Sequence, residues 1–341
     1  MRTQGVHIMR IIASLKTALA AFALVLTLAV ASPVSAQQSI QGVNPTAQAV
    51  KEQDLLRQLD AVSGRVSIPD QKSGLLIQPQ GREWRQFHNT TMFWVGAIAV
   101  LGMIALLVVF YMTRGKIMID GGFSGRTILR FNVFERFVHW LTAGCFIILA
   151  LSGLNVTFGK SLLLPLIGHE AFTNVSVIAK YAHNFLAFPF MAGIVFMFAV
   201  WVRDNIPEGG DLAWLKAGGG LLGHDHPPAK KFNGGQKLIF WSVILGGVAL
   251  SISGVLLLFP FFATTIWDMQ IAQIVHGLVG LILVAIMLAH AYIGSVGMEG
   301  AFDAMGSGEV DLNWAKEHHS LWVKEEEAKK AGMPKGMVAA E

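Results

Sequence analysis

Residues 270–290 read QIAQIVHGLVGLILVAIMLAH, and this stretch decides the fold. It contains no Asp, Glu, Lys or Arg, and as a helix it is long enough to cross about 30 Å of hydrocarbon. Its two histidines, His276 and His290, are 14 residues apart, which on a helix corresponds to about 21 Å along the axis and about 40° around it. One membrane helix therefore presents two imidazoles at two depths on nearly the same face.

The apolar character extends over most of the chain. Of its 341 residues, 53% are hydrophobic and only 14% are charged, whereas soluble domains carry about 25% charged residues. Other stretches that lack Asp, Glu, Lys and Arg over a membrane-spanning length are 86–113, 137–159, 181–202 and 238–267. The sequence therefore predicts an all-α integral membrane protein, with a four-helix transmembrane bundle preceded by one additional N-terminal transmembrane helix.

The first 36 residues have the composition of a targeting signal. Three basic residues, Arg2, Arg10 and Lys16, precede the apolar run 17–30, and the small residues of 34–36 fit the cleavage site of signal peptidase. We therefore predict a secretory signal peptide over 1–36. The alternative is an uncleaved anchor helix, for which the apolar run is short.

The remaining charge lies between the spans. We predict a periplasmic arm over 37–91, the additional transmembrane helix over 92–113, the bundle over 127–297 and a cytoplasmic tail over 298–341. Lys and Arg are concentrated in the loops that this arrangement places in the cytoplasm, as the positive-inside rule requires, and the basic residues of the exported arm are the exception. The net charge of +4 therefore does not indicate a nucleic-acid-binding protein.

Four of the 11 histidines lie inside the apolar spans. Ionisable side chains are rare there because burial in the bilayer costs about 3 kcal/mol or more, so each marks a candidate site. His139 and His290 fall near the predicted cytoplasmic face and are called the inner pair. His183 and His276 fall near the opposite face and are called the outer pair. Any one of them alone is as readily a core histidine that hydrogen-bonds a neighbouring helix.

The pairing by depth favours haem. A low-spin b-type haem needs two neutral imidazoles on opposite sides of its iron, and two facing helices can supply them. The sequence therefore predicts two b-type haems, one held by the inner pair and one by the outer pair. Zinc or copper sites would add carboxylates or thiolates at one depth. A transporter would show acidic relays or inverted repeats, and the spans show neither.

The single cysteine limits the chemistry further. Cys145 lies in an apolar run and cannot by itself ligate an iron–sulfur cluster or form the attachment motif of a c-type haem. Any such group must belong to a partner. Five histidines outside the spans are expected to be solvent-exposed: His169, His224, His226, His318 and His319.

A second polar cluster is the segment 231–237, KFNGGQK, directly before the apolar run 238–267. Asn233 and Gln236 offer amide donors and acceptors, and Gly235 lets the backbone approach a ligand closely. The segment lies at the depth of the membrane interface, where a quinone ring would rest. The alternative is a glycine-rich turn that only begins a helix.

With these residues in order, the region from Thr127 to Glu325 resembles the cytochrome b (gamma) subunit of membrane-bound formate dehydrogenase. The matching residues, in chain order, are 134–140 (FERFVHW), His183, 205–207 (NIP), the turn 233–237, His276 with His290, and 313–319 (NWAKEHH). The match covers nearly 200 residues in one order and is more specific than any single motif.

The resemblance implies four core spans with two b-type haems. It also implies a quinone site near the inner haem, formed by Asn233, Gly235 and Gln236 together with His290, for menaquinone or ubiquinone. Two partner subunits are implied as well, an iron–sulfur (beta) subunit and a catalytic (alpha) subunit with a molybdenum or tungsten pterin, in a bacterial inner membrane. The signal, the arm and the additional span depart from the shorter family members.

The resulting hypothesis is a membrane electron conduit, in which electrons from formate oxidised outside pass from the outer haem to the inner haem and reduce quinone. Arg130, Arg136 and Arg203 are candidates to pair with the inner haem propionates, although interface arginines also mark topology. Three alternatives stay open: a cytochrome b subunit of a hydrogenase or thiosulfate reductase, a transporter with buried histidines, and a haem-free membrane anchor.

Overall fold

The structure is a computed structural model that describes residues 79–220, 226–260, 262 and 264–331. The predicted signal peptide, most of the predicted arm and the end of the predicted tail lie outside these ranges. Within them, five helices are long and apolar enough to cross a membrane, and one of the five precedes the other four. The prediction of an all-α membrane protein with one additional N-terminal span is therefore confirmed.

The first span begins earlier than predicted. Helix α1 covers Pro79–Gln86 and continues through a π-helical turn at Phe87–Thr91 into α2, Met92–Arg114. Proline suits the first position of a helix because its missing N–H has no intrahelical partner there. No further Gly or Pro interrupts residues 82–95, so the last part of the predicted arm is helical.

The other elements complete the bundle and add a small sheet. In chain order they are β1 (Thr127–Leu129), α3 (Val133–Leu162), α4 (Leu164–Trp201), α5 (Gly209–Lys216), α6 (Gly234–Leu258), α7 (Ile266–Tyr292), α8 (Asp303–Gly306), β2 (Glu309–Asp311), α9 (Leu312–His318) and α10 (Ser320–Lys330). Helix α4 is broken at Gly168, whose φ of 79° is a conformation that glycine adopts without steric cost. Helices α3, α4, α6 and α7 are the four predicted bundle spans.

The described residues divide into two compact units. The smaller unit comprises 79–86 and 158–180, and the larger comprises 87–157 and the described residues from 181 onward. In the smaller unit, the chain leaves α3 through a turn in which Leu163 N donates to Gly159 O at 2.8 Å. All four span histidines lie in the larger unit, which therefore contains the complete candidate site.

Glycines bring α7 close to its neighbours. A Cβ on Gly246 of α6 would lie 2.6 Å from Leu283 Cδ1, and a Cβ on Gly96 of α2 would lie 2.5 Å from Leu281 Cδ1. Both distances are too short for a real Cβ, so a side chain at either position would force the leucine of α7 to shift. The additional span therefore packs directly on the helix that holds two of the four histidines.

Large apolar side chains point outward along the spans. Ile98 is 69% exposed, Val156 80% and Leu245 64%. Contiguous apolar surface of this extent would be a liability in water and is expected where hydrocarbon surrounds the protein. The spans therefore have the lipid-facing surface of a multi-pass membrane protein.

Residues 115–132, 226–233 and 298–331 form a packed structure that we call the cap. Strands β1 and β2 pair antiparallel, with Ile128 opposite Val310. The buried side chains in the cap include Phe131, Val310, Trp314, Trp322 and Val323. The predicted tail is thus largely folded against the loops that precede α3 and α6, because its apolar residues find partners there.

Candidate functional site

The outer pair consists of His183 on α4 and His276 on α7. Their ring centroids are 6.0 Å apart, with an angle of 62° between the ring planes. Both rings are partly buried within the bundle. Two helices that are far apart in the sequence therefore bring two imidazoles next to each other, with their ring planes steeply inclined.

The inner pair has nearly the same geometry. The ring centroids of His139 on α3 and His290 on α7 are 6.2 Å apart, with an angle of 57° between the planes. His139 also makes an edge-to-face contact with Trp140, at 5.0 Å between centroids. The structure thus brings the four histidines together in the pairs that the sequence predicts. One histidine of each pair belongs to α7, and the two pairs lie at two levels of that helix.

These separations fit axial ligation of a haem iron. Two nitrogens that each lie about 2 Å from one metal ion on opposite sides are about 4 Å apart, which puts the ring centroids roughly 6 Å apart. The observed 6.0 and 6.2 Å match this value. No Asp, Glu or Cys forms a metal-ligand cluster with either pair within the described ranges, so the donor set is two imidazoles, as a low-spin b-type haem requires.

Serine hydroxyls determine which nitrogen the outer histidines offer. Ser152 Oγ lies 2.7 Å from His183 Nδ1 and also donates to the Ile148 carbonyl at 2.8 Å. When the single hydroxyl proton is donated to the carbonyl, the serine oxygen is free to accept from Nδ1–H. Ser253 does the same for His276, at 3.1 Å from Nδ1 and 2.7 Å from the Ala249 carbonyl.

Donation from Nδ1–H to these hydroxyls favours one tautomer at the outer pair. With Nδ1 protonated, each neutral imidazole keeps its lone pair on Nε2, which is then the metal-binding atom. The inner pair differs here, because His139 Nδ1 is buried and has no hydrogen-bond partner among the described residues. The two pairs thus share their ring separation but not the groups that orient the rings.

Small residues stand beside the outer rings. A Cβ on Gly254 would lie 3.2 Å from His276 Cε1, and a Cβ on Gly153 would lie 3.9 Å from His183 Cε1. At Gly144, which follows His139 on α3, a Cβ would meet nothing within 4 Å. Gly254 therefore makes room for the imidazole ring of His276 close to the backbone of α6.

The turn at 231–237 begins helix α6. Asn233 Oδ1 accepts from Gln236 N at 3.0 Å, and Gln236 Oε1 accepts from Asn233 N at 3.2 Å. This reciprocal capping box satisfies two free N–H groups of the helix start. A Cβ on Gly235 would lie 2.9 Å from the ring of Trp214. The glycine-rich turn that begins a helix is therefore present, and glycine makes room there for an indole.

Arg130 reaches the same turn from the cap. Its Nη2 donates to Lys231 O at 2.7 Å and to Gln236 Oε1 at 3.1 Å. Burial lowers the pKa of Arg130 to about 9, against the opposing effect of the Glu135 charge, so the guanidinium remains charged at neutral pH. Arg130 is thus a positioning residue for Gln236.

The other two predicted propionate ligands have different surroundings. Arg136 lies one helical turn before His139 on α3, and its Nη1 donates to Gly306 O at 2.6 Å. Arg203 begins a short 3₁₀ turn and is exposed. Of these two arginines, only Arg136 is close in the sequence to a histidine of the inner pair.

Comparison with known proteins identifies the family. Residues 130–308, more than half of the chain, match the family described as prokaryotic cytochrome b561. The chain belongs to this family. A cytochrome b binds haem, and the matched region contains all four histidines of the two pairs.

Relatives of this cytochrome b561 family member include subunits of formate dehydrogenase. The nitrate-inducible formate dehydrogenase cytochrome b556(Fdn) subunit of Escherichia coli (strain K12) is 31% identical over 214 residues, which cover 61% of this chain and 95% of the relative. The formate dehydrogenase cytochrome b556(fdo) subunit of the same strain is 30% identical over 203 residues, covering 58% and 93%.

A more distant relative comes from another organism. The formate dehydrogenase cytochrome b556 subunit of Haemophilus influenzae (strain ATCC 51907 / DSM 11121 / KW20 / Rd) is 28% identical over 205 residues, covering 58% of this chain and 83% of the relative. The predicted resemblance of this cytochrome b561 family member to formate dehydrogenase cytochrome b subunits is therefore confirmed.

The expectation that His318 and His319 are solvent-exposed is wrong. His318 is 6% exposed and His319 is fully buried, and His319 Nδ1 lies 2.8 Å from Lys230 O. A signal was present in the sequence, because Trp314, Ala315 and His318 recur at the spacing of one helix face and all three are buried. The expectation is also wrong for His226, whose side chain is only 13% exposed. His169 is exposed as expected, and His224 lies outside the described residues.

Proposed function

We propose that this chain is the cytochrome b subunit of a formate dehydrogenase complex and carries electrons through the membrane to quinone. One observation carries the proposal: α7 holds two imidazoles at two levels, and each faces an imidazole of another helix with 6.0 or 6.2 Å between ring centroids. Family membership supports the haem, and the names of the relatives support the formate-oxidising partner.

The proposed ligands of two b-type haems are His139 with His290 on the cytoplasmic side and His183 with His276 on the periplasmic side. Bound haem iron would supply reversible one-electron redox chemistry. The chain itself orients the rings: Ser152 and Ser253 hold the outer imidazoles with Nε2 free. Two haems at the two levels of α7 would divide the width of the membrane into short steps for an electron.

The proposed quinone site consists of Asn233, Gly235 and Gln236 together with His290, for menaquinone or ubiquinone. Because Gln236 Oε1 accepts from Arg130 Nη2 at 3.1 Å, the amide is oriented and its NH₂ group is the donor left for a quinone carbonyl. Arg136 is the favoured partner for an inner haem propionate, since Arg130 already bonds two acceptors of the chain.

The proposed electron source is outside this chain. Cys145 is the one cysteine of the sequence and is buried, so an iron–sulfur (beta) subunit and a catalytic (alpha) subunit with a molybdenum or tungsten pterin complete the complex. The proposed location is a bacterial inner membrane, with the apolar faces of the spans in lipid and the partners on the periplasmic side.

A haem count tests the ligand assignment. We expect the purified wild-type chain to contain two haems by the pyridine haemochrome assay, and His183→Ala to contain one. The matched control is His169→Ala, which removes an exposed histidine from the same helix and should leave two. An unchanged count in His183→Ala would remove His183 from the ligand set, and a wild-type protein without haem would refute the conduit.

A second assay tests the partner. Membranes that contain the complex should reduce quinone when given formate and should not do so when given hydrogen or thiosulfate as the alternative substrate. His183→Ala should abolish the formate-dependent rate while leaving formate-dependent reduction of a soluble dye by the catalytic subunit intact. Hydrogen-dependent reduction would assign the chain to a hydrogenase instead.

A further inference from the structure

We propose that His226, Glu317 and His318 of the cap form a binding site for a divalent transition-metal ion, for which zinc is the best match. The site is separate from the histidine pairs and does not depend on the proposed electron transfer. It joins the segment that leads into α6 to the end of α9. Two imidazoles and one carboxylate are a ligand set that zinc uses in proteins, with the fourth position left for water.

The distances between the three ligand atoms fit one ion. Glu317 Oε1 lies 3.2 Å from His226 Nε2 and 3.5 Å from His318 Nε2, and all three atoms lie within 4.8 Å of one another. Ligands at about 2.0 to 2.1 Å from a tetrahedral ion are about 3.3 Å apart. The two measured distances lie on either side of that value.

Hydrogen bonds do not account for the arrangement. Glu317 Oε2 accepts from the backbone N of Asp120 at 3.1 Å, which turns the other oxygen into the cluster. Glu317 Oε1 and His226 Nδ1 are buried and have no hydrogen-bond partner within the part of the chain that the structure describes. A buried carboxylate oxygen without a donor is costly, and a cation between the three groups would remove that cost.

The backbone and the neighbouring rings fix the two imidazoles. The ring of His226 lies against Gly220, whose φ is +77° and where a Cβ would overlap the imidazole. The His226 and His318 rings meet edge to face with centroids 4.9 Å apart, and the Trp314 ring lies 5.1 Å from His318 between centroids. Both ligands are therefore held in place before any ion binds.

Charged groups of both signs lie near the cluster, the Arg130 guanidinium and the carboxylates of Glu317 and Asp120. Burial, together with His226 and the Arg130 charge, lowers the pKa of His318 to about 3. His318 is thus a neutral imidazole at pH 7, and its contact with Glu317 is not an ion pair. Burial raises the pKa of Glu317, with the nearby Asp120 carboxylate acting in the same direction. Two carboxylates near one cluster would balance the charge of a divalent ion.

Binding would connect the cap to the turn at the start of α6. His226 belongs to the segment that continues to Asn233, while Glu317 and His318 end α9 in the tail. An ion held by both would fix that segment on the tail, with the buried His319 bonded to Lys230 O beside it. The proposed metal site would therefore stabilise the start of α6, where Asn233 and Gln236 lie.

A metal titration of the haem-loaded protein tests the proposal. After treatment with a chelator and dialysis, we expect the wild type to bind one equivalent of Zn²⁺ in competition with a chromophoric indicator. One equivalent of Co²⁺ in the same site should give the visible absorption of four-coordinate cobalt. His226→Ala and Glu317→Gln should each weaken binding by about 100-fold or more, because each removes a direct ligand.

The control is His169→Ala, which removes an exposed histidine of α4 and should bind like the wild type. The haem content of every variant is measured first, so that loss of the fold is distinguished from loss of the ion. Because His226 lies in a loop segment, His226→Ala is the deciding variant if Glu317→Gln does not fold. A wild type that binds no stoichiometric Zn²⁺, or a His226→Ala protein that binds it equally well, would overturn the proposal.

Discussion

The hydroxyl of Ser152 lies 2.7 Å from Nδ1 of His183 while its proton is directed to the carbonyl of Ile148 in the previous turn of α3. The serine thereby acts as an acceptor for the imidazole and leaves Nε2 as the free lone pair. Ser253 and His276 repeat the arrangement on α6 and α7. One polar group per ligand, supplied by the facing helix, orients the outer pair.

We predict that Ser152→Ala and Ser253→Ala weaken haem retention at the outer pair by about 10- to 100-fold, as expected for groups that orient a metal ligand. The measurement is the haem count after repeated detergent washing, with a reduced-minus-oxidised spectrum. Ser251→Ala is the matched control, since Ser251 Oγ donates to Gly247 O and has no hydrogen bond to a histidine within the residues that the structure describes. Equal retention in all three variants would show that packing alone orients the rings.

The contact between the additional span and α7 gives a second prediction. Gly96→Leu should separate α2 from α7, because a Cβ there would already lie 2.5 Å from Leu281, and we expect a loss of about 2 kcal/mol from overpacking. Gly102→Leu on the same helix is the control, because its Cβ would meet nothing within 4 Å. Thermal unfolding in detergent measures both. A Gly96→Leu protein as stable as Gly102→Leu would contradict direct packing.

Replacing Arg130 tests its assignment to Gln236. Arg130→Gln should raise the KM for quinone about tenfold, equivalent to about 1.4 kcal/mol, because the amide of Gln236 loses the donor that orients it. Both haems should remain with unchanged spectra. Arg126→Gln removes an exposed arginine of the same loop and should leave KM unchanged. If the reduction potential of the inner haem shifted while the KM for quinone stayed the same, Arg130 would instead be assigned as a partner of the inner haem propionates.

The acid stability of the cap depends on Asp311. Burial alone would raise the pKa of this carboxyl, but hydrogen bonds from Ser124 and the backbone N–H groups of Asn313 and Trp314 lower it below 3.8. A carboxyl whose pKa is lower in the folded state stabilises that state above pH 3.8. This stabilisation is lost as the pH falls through the folded pKa.

We therefore predict that Asp311→Asn destabilises the cap by about 2 kcal/mol at neutral pH, which is the scale of hydrogen bonds to a charged group. The substitution should also remove the dependence of cap stability on pH below about 4. Hydrogen exchange over residues 309–323 reports the opening of the cap. Glu309→Gln on the same strand is the control, because Glu309 is exposed and glutamine keeps a side-chain oxygen that can accept from Thr127 Oγ1. If exchange were equal in both variants, Asp311 would not hold the cap.

The histidine pairs could be predicted from sequence because two simple quantities determine them. Hydropathy gives the depth of each residue in the membrane, and the helical repeat places His276 and His290 on one face. Pairing by depth then leaves one partner for each of these two histidines. The ring separations in the structure show that the members of each pair lie next to each other. The serines could not be predicted in this way, since Ser152 and Ser253 are ordinary polar residues until the facing helix is known.

The cap could not be predicted, because its contacts join distant segments. Glu317 bonds the backbone of Asp120 across 197 residues, and no local pattern indicates such a partner. The polar composition of 313–319 favours exposure, yet His319 is fully buried. At the turn, the sequence predicts that the amides of Asn233 and Gln236 contact a ligand. In the structure each amide oxygen accepts from the backbone N–H of the other residue, and Gln236 also accepts from Arg130. Whether they also bind quinone stays a prediction.

The pairing of β1 with β2 imposes an order on biosynthesis. Thr127 and Glu309, whose side chains bond at 2.7 Å, are 182 residues apart, and every bundle helix is translated between them. Ile128 and Phe131 therefore leave the ribosome long before Val310 exists to cover them, and contacts of such separation form slowly. Closure of the sheet is thus a late event that follows insertion of the last span, and a truncated nascent chain exposes apolar surface that quality-control proteases can recognise.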